Sequence, residues 1–346
     1  GPARPGSPSV IAGRPAMRIR IDFRRQLPIL PRMDMVTDPA PTVSELRLDG
    51  AGLALAGSRH HGRPGADASP SVLYAHGFGP TRRAWAATAS ILAAHGHAGL
   101  AYDARGHGDS GFNADDDPYT GHQFTDDLIV LAGELPRPPV LVAASMGGLF
   151  GLLAEARWPG LFRAMVLVDI TPRWESAGLE RILAFMTAFP EGFASLEQAA
   201  ESIAAYLPHR RPRGAGSGAL RGLLRQAADG RWRWHWDRRL VDELARDSHR
   251  HQDDIATATR AVRCPLLLVS GGRSDLVSAR TVADFLELAP HARHVQLPEA
   301  THMLAGDDND LFTATVLQYL VDLERADSPI HSTAHRAPAP ATGAAP

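Results

Sequence analysis

The chain contains no lysine: all 36 of its basic residues are arginine. That absence excludes a P-loop phosphate lysine, a Schiff-base or pyridoxal-phosphate lysine and a Ser-Lys dyad. Cysteine is nearly as scarce. The single Cys264 stands before Pro265 and the apolar run 266–269, so it reads as a buried small residue, and no disulfide framework can form. Excess charge of one sign is also missing. With a formal net charge of −2, nothing draws the chain to nucleic-acid phosphates or anionic membranes, and neither is expected as a partner. Long apolar runs are lacking too. The proline-rich start, Gly-Pro-Ala-Arg-Pro-Gly-Ser-Pro, has the character of neither a secretory signal nor a membrane anchor; Gly1-Pro2 reads as a scar of tag removal, and a cytoplasmic location is expected. Histidine is plentiful, but His60-His61, His95-x-His97 and His249-x-His251 have no cysteine partners and His-Glu-x-x-His does not occur, so no metal site is expected.

What is present is enough for a large core: 346 residues, 44% of them apolar and 21% charged. Residues 44–49 alternate polar and apolar, Asp49-Gly50 signals a turn and an apolar run follows, which predicts an opening hairpin. Short apolar runs then recur at 72–75, 98–102, 140–144, 165–169, 266–270 and 294–297, with helix-like segments between most of them. This rhythm predicts an α/β fold with a doubly wound, mostly parallel sheet. Between Ile170 and Cys264 the rhythm stops and helical patterns take over, predicting an inserted helical lid. The expected organisation is a flexible arm at 1–43, a first core part at 44–170, the lid at 171–263, a second core part at 264–325 and a disordered tail at 326–346. In the lid, the loop from His209 to Gly218 reads as solvated and mobile.

The chemistry concentrates at strand ends. In Val-Leu-Val-Ala-Ala-Ser-Met-Gly-Gly, 140–148, an apolar run too short for a helix reaches Ser145 and passes into small residues, which predicts a strand, a sharp turn and a helix start. Such a turn lifts a serine hydroxyl out of the sheet beside unpaired amides of the helix. Ala143 and Gly147, two residues to either side, are small enough for it. After the strand at 72–75, His76-Gly77-Phe78-Gly79-Pro80 is a glycine turn whose Phe78 amide, with that of Met146, could receive an oxyanion; His76 reads as a turn-stabilising side chain. Tyr102 to Ser110, Tyr-Asp-Ala-Arg-Gly-His-Gly-Asp-Ser, follows the next strand and reads as architecture, with Asp103 and Arg105 pairing across the loop.

These three stretches, in this order, resemble the α/β-hydrolase superfamily, whose nucleophile elbow usually has glycine where this chain has Ala143. The resemblance covers about residues 44–325 and implies the order nucleophile, acid, histidine. Ser145 is then the nucleophile. Gly-Gly-Arg-Ser-Asp, just past the strand at 266–270, offers Asp275 as the acid; Asp169, at the end of the strand before the insertion, competes for that role because the geometry is nearly equivalent. Glu-Ala-Thr-His-Met supplies His302 as the base. The resemblance is to lid-bearing serine hydrolases of the esterase, lactonase and cofactor-free haloperoxidase kind, and a serine nucleophile sets the chain apart from epoxide hydrolases and haloalkane dehalogenases.

The expected activity is hydrolysis of a small-molecule carboxylic ester or lactone through an acyl-enzyme, with no cofactor. Two rivals remain: carbon-carbon bond hydrolysis of ring-cleavage diketones, weakened by Thr301 and Met303 beside His302, and a non-catalytic small-molecule receptor on the same fold. Arg-Trp-Arg-Trp-His-Trp-Asp, 231–237, would put the indoles of Trp232, Trp234 and Trp236 on one side of an extended backbone, as lid core or as an apolar wall for an acyl group. Oligomeric state has no signature in the sequence.

Overall fold

The computed structural model describes residues 42–62, 69–207, 218–241, 248–302, 304 and 310–327. Nearly all of the expected N-terminal arm, the loop at 209–217, Met303 and the tail from 328 lie outside the described residues. An eight-stranded sheet carries the fold. Its strands are β1 (Val43–Asp49), β2 (Ala54–His60), β3 (Val72–Ala75), β4 (Gly99–Tyr102), β5 (Val140–Ala144), β6 (Ala164–Val168), β9 (Leu266–Gly271) and β10 (Arg293–Leu297). They lie in the order β1-β2-β4-β3-β5-β6-β9-β10. The expected hairpin is there as β1 and β2; β2 also runs antiparallel to β4, and the remaining neighbours are parallel.

The central strands are apolar throughout because helices cover both faces. Alternate residues sort into two layers. Val72, Tyr74, Val140, Val142 and Val166 pack with α1 (Ala86–Ala94) on one face. Leu73, Ala75, Leu141, Ala143, Met165 and Leu167 pack with α2 (Gly121–Gly133) and α3 (Met146–Arg157) on the other. Each of the larger buried side chains contributes roughly 1.5–3 kcal/mol through its removal from water. α2 starts on a capping box, in which Thr120 accepts the Gln123 N–H and the Gln123 side chain accepts the Thr120 N–H.

The stretch expected as a helical lid is more divided. It contains α4 (Ser176–Thr187), α5 (Leu196–Tyr206) and α6 (Gly218–Leu223), but then a two-stranded antiparallel ribbon of β7 (Leu224–Gln226) and β8 (Trp232–Trp234). β8 falls in the alternating run 231–237 expected to be extended, whereas β7 is too short to show a pattern in sequence. Phe193 bridges to Trp232 and, with Leu196, Ala199, Leu220 and Leu224, gives this insert its own small core. α7 (Ser248–Ala261) belongs instead to the sheet's helical layer, since Ile255 joins the apolar cluster of Leu167 and Leu268. α8 (Ala279–Leu288) and α9 (Asp310–Asp327) complete the two layers, Phe285 on the α2 side and Phe312 and Val316 on the α1 side. Among the described residues, no helix is long and apolar enough to cross a membrane.

The loop after β4 is braced, but not by the expected Asp103–Arg105 pair. Asp103 receives the Arg82 backbone N–H and guanidinium, while Arg105 makes a fork to Asp127 of α2 at 2.7 and 2.8 Å. A guanidinium fork needs a carboxylate presented face-on, which α2 supplies and a neighbour two residues away does not. The run 106–111 also has the spelling Gly-x-Gly-x-x-Gly, yet it stays within this loop and opens no helix, so it lacks the strand-turn-helix context of a dinucleotide site.

Candidate active site

β5 stops at Ala144 and α3 begins at Met146, so the whole change of direction falls on Ser145, at φ 46° and ψ −119°. Only Ser145 and Asp169 among the described non-glycine residues have positive φ, and each follows the end of a central strand, β5 and β6 respectively. Such backbone costs about 1–3 kcal/mol and persists where its surroundings over-determine it. Those surroundings are tight. A Cβ at Gly147 would come within 2.8 Å of the His76 carbonyl oxygen, and one at Gly77 within 3.0 Å of Ser145 Cβ. Ala143 is fully buried opposite Ala75 in the β3–β5 register, so its methyl group fits where glycine is usual.

Met146 opens α3, so its N–H has no acceptor within the helix. No acceptor among the described residues takes the Phe78 N–H, and Phe78 and Met146 line the same cavity as Ser145. The Phe78 peptide is held from behind. His76 Nε2 accepts the Ala104 N–H at 2.9 Å, which leaves Nδ1–H to donate to the Gly77 carbonyl at 2.6 Å. Because a trans peptide sets C=O and N–H on opposite sides, fixing the Gly77 carbonyl fixes the Phe78 N–H. His76 thus has the turn-stabilising position expected of it.

The carboxylate beside His302 is not the expected Asp275 but Asp169. His302 Nδ1–H donates to Asp169 Oδ2 at 2.7 Å, and the fully buried Asp169 carboxylate also accepts the Gly271 N–H at 2.7 Å and the Ser274 hydroxyl at 2.5 Å. Asp275 is turned away and ion-paired with Arg181 of α4. The cause is local: the turn after β9 spends Ser274 on Asp169, and the next residue faces the insert. The chain order Ser145, Asp169, His302 is still compatible with the succession of nucleophile, acid and histidine that the family resemblance implies. Ser145 and His302 line one cavity of about 1330 Å³, which Asp275 does not line. Among the described residues no Ser145–His302 hydrogen bond is formed; such bonds commonly tighten only with substrate.

Aromatic side chains of the insert line this cavity. Trp234 and Trp236 line it and stack at 4.6 Å, and Phe78 lies 5.5 Å from Trp236. Trp232 does not join them. It pairs through its backbone with Phe193 and packs on the insert's small core, which Trp234 also touches. Phe185, Met186 and Trp174, which no sequence signal singled out, line the cavity as well. Among the described residues no group of three or more His, Cys, Asp or Glu side chains is placed to hold a metal ion.

Behind the Phe78 loop lie three buried imidazoles, His76, His107 and His235, with ring centres of His107 at 5.1 Å from His76 and 6.0 Å from His235. Burial, first of all, holds each below the ordinary imidazole value, and His235 is pushed down to about 4. His76 and His235 further oppose a charge on His107, whereas Asp103 partly offsets the effect at His76. The unfolded chain takes up these protons near pH 6.5 and the folded chain resists them. Stability is therefore fully present above about 6.5 and drains as pH falls toward 4, His235 alone accounting for about 3 kcal/mol. The urea midpoint should fall steadily across that window; a flat midpoint would contradict the buried, neutral state of the cluster.

A sheet whose strand ends gather a strained serine, free amides and a carboxylate-backed imidazole is the layout of an α/β hydrolase. Residues 72–315 match the model of the Alpha/beta hydrolase family, and the chain belongs to that family. Its relatives are hydrolases. A 3-hydroxybutyrate-oligomer hydrolase of Cupriavidus necator is 28% identical over 69% of this chain and 84% of that protein. A 2-(acetamidomethylene)succinate hydrolase of Mesorhizobium japonicum is 32% identical over 59% of this chain and 71% of that protein, and an esterase of Mycobacterium tuberculosis is 29% identical over 69% and 78%. Among solved structures, an E-2-(acetamidomethylene)succinate hydrolase superposes with a TM-score of 0.68 at 24% identity, over 81% of this chain and all of that one. A thioesterase domain from the curacin biosynthetic pathway gives 0.63 at 22%, over 81% and 99%. Both likenesses describe the shared fold.

Proposed function

We propose that the protein is a serine hydrolase of carboxylic esters or lactones, working through Ser145, His302 and Asp169 with the amides of Phe78 and Met146 as oxyanion donors. The observation that carries this reading is the Asp169–His302 hydrogen bond at the rim of the cavity that holds Ser145 on its strained turn. Asp169 accepts the hydrogen bond from Nδ1–H, which leaves Nε2 as the imidazole's base. That nitrogen takes the Ser145 proton as Oγ attacks the acyl carbon, and Asp169 balances the imidazolium. The tetrahedral oxyanion falls to the two amides, each worth about 3 kcal/mol of barrier. Collapse expels the alcohol, protonated by His302; water, activated by the same imidazole, then releases the acid.

The insert acts as a lid, and its stacked Trp234 and Trp236 form an apolar wall for the acyl group. Trp236 is almost fully buried against Phe78, so truncating it removes a wall next to the reacting centre. Trp236→Ala should lower kcat/KM for p-nitrophenyl octanoate about tenfold more than for p-nitrophenyl acetate, since only the longer chain uses that surface. Equal losses on both esters would remove the tryptophan from substrate recognition. The overall assignment is tested by an ester and lactone panel read alongside fluorophosphonate labelling: labelling with turnover supports a hydrolase, while labelling of Ser145 with no turnover of any ester or lactone favours a receptor.

A further inference from the structure

His76 has a counterpart on the far side of Phe78. His235, carried by the insert just after β8 and only 2% exposed, accepts the Gly108 N–H on Nδ1 at 2.8 Å and donates Nε2–H to the Gly79 carbonyl at 2.8 Å. The two imidazoles therefore do the same thing from opposite ends. Each takes a backbone N–H of the loop after β4, Ala104 for His76 and Gly108 for His235, and each gives its other proton to a carbonyl flanking Phe78. The difference is origin: His76 lies in the loop itself, whereas His235 arrives from 156 residues along the chain. Neighbouring contacts keep this part of the insert against the β4 loop, with the Asp237 N–H on the Gly106 carbonyl at 2.8 Å and Arg225 on Asp109 at 2.6 Å.

We propose that His235 is a positioning residue that couples the insert to the oxyanion hole, holding the Gly79 carbonyl so that the Phe78 amide keeps its place. Gly79 has φ 98°, a conformation open to glycine and reached by few other residues, so the loop has little intrinsic preference to hold it there. Two anchored carbonyls restrain the Phe78 peptide where one would leave a hinge at Gly79. A displacement of the insert at this point is then transmitted to the donor on which the tetrahedral intermediate depends. The inference rests on the ester-hydrolase reading and adds to it a route by which the insert governs the chemical step.

The two ring nitrogens can be separated by substitution. Glutamine places an amide N–H near the position of Nε2 and can keep the bond to Gly79; asparagine places its amide near Nδ1 and can keep only the bond to Gly108. If His235 positions the oxyanion donor, His235→Asn lowers kcat on p-nitrophenyl esters about tenfold with KM within twofold, because a misplaced donor weakens the transition state more than the bound ester. The same variant weakens inhibition by phenylboronic acid, whose tetrahedral adduct uses the hole, by a similar factor. His235→Gln keeps kcat within about threefold of the parent. Melting temperatures of both variants are measured in parallel, as each loses one buried hydrogen bond and should be destabilised comparably. Equal kcat values for the two variants, with both melting temperatures lowered, would make His235 a structural bridge only and overturn the proposal. If the parent chain neither labels with fluorophosphonate nor turns over any ester, the hydrolase reading fails and the proposal with it, a result unlike the first.

Discussion

Ser145→Ala is expected to abolish fluorophosphonate labelling and to lower ester turnover by about a million-fold, to the residual rate that binding and the amide donors sustain by themselves. The size follows from the mechanism. Without the hydroxyl there is no acyl-enzyme, and His302 and Asp169 have no nucleophile to activate, so the three groups fail as a unit rather than in proportion. Folding is the control. Alanine at a position with φ 46° is as strained as serine, so the melting temperature should change little, and the loss cannot be attributed to a collapsed elbow. A variant that keeps more than a few per cent of parental kcat would mean that some other group attacks the ester, and the assignment of Ser145 would have to be withdrawn.

The second large effect separates two aspartates. Asp169→Asn should lower kcat by about ten-thousand-fold with little change in KM, because an amide at that position can present its N–H to the imidazole and stabilise the wrong tautomer, and it cannot balance the imidazolium. Asp275→Asn should leave kcat within a few-fold of the parent. Asp275 is spent on Arg181, an arginine that is mostly exposed, and a pair of that kind contributes little. The contrast is the measurement: steady-state kinetics of both variants on one ester, with melting temperatures alongside. The reverse ranking would restore Asp275 as the acid and would require the β9–α8 turn to rearrange in the working enzyme.

Much of this protein was legible from residue order. Strands β3 and β5 fall on the apolar runs at 72–75 and 140–144, because a strand covered on both faces must be apolar at every position, and such a run stands out from its polar surroundings. Ser145 and His302 could be singled out because each follows a strand end in a loop rich in small or polar residues. The short ribbon in the insert was legible only in part: the alternating run 231–237 reads as extended and contains β8, whereas the three residues of β7 leave no alternation to read. The buried imidazole cluster was not legible: a histidine looks the same in sequence whether it hydrates at the surface or bridges two loops.

Residue order by itself set the elements from which a site could be built: no lysine, one serine on a sharp turn, glycine-rich loops at strand ends, and the order of serine, aspartate and histidine that the family resemblance implies. Tertiary structure alone decided which carboxylate meets the imidazole, which indoles reach the cavity and which histidine backs the Phe78 loop. The reason is physical. Local sequence sets backbone preference and burial pattern over a few residues, whereas Asp169 and His302, 133 residues apart, meet only because β6, β9 and β10 lie side by side, and the direction in which the turn after β9 sends Ser274 and Asp275 depends on what packs against it.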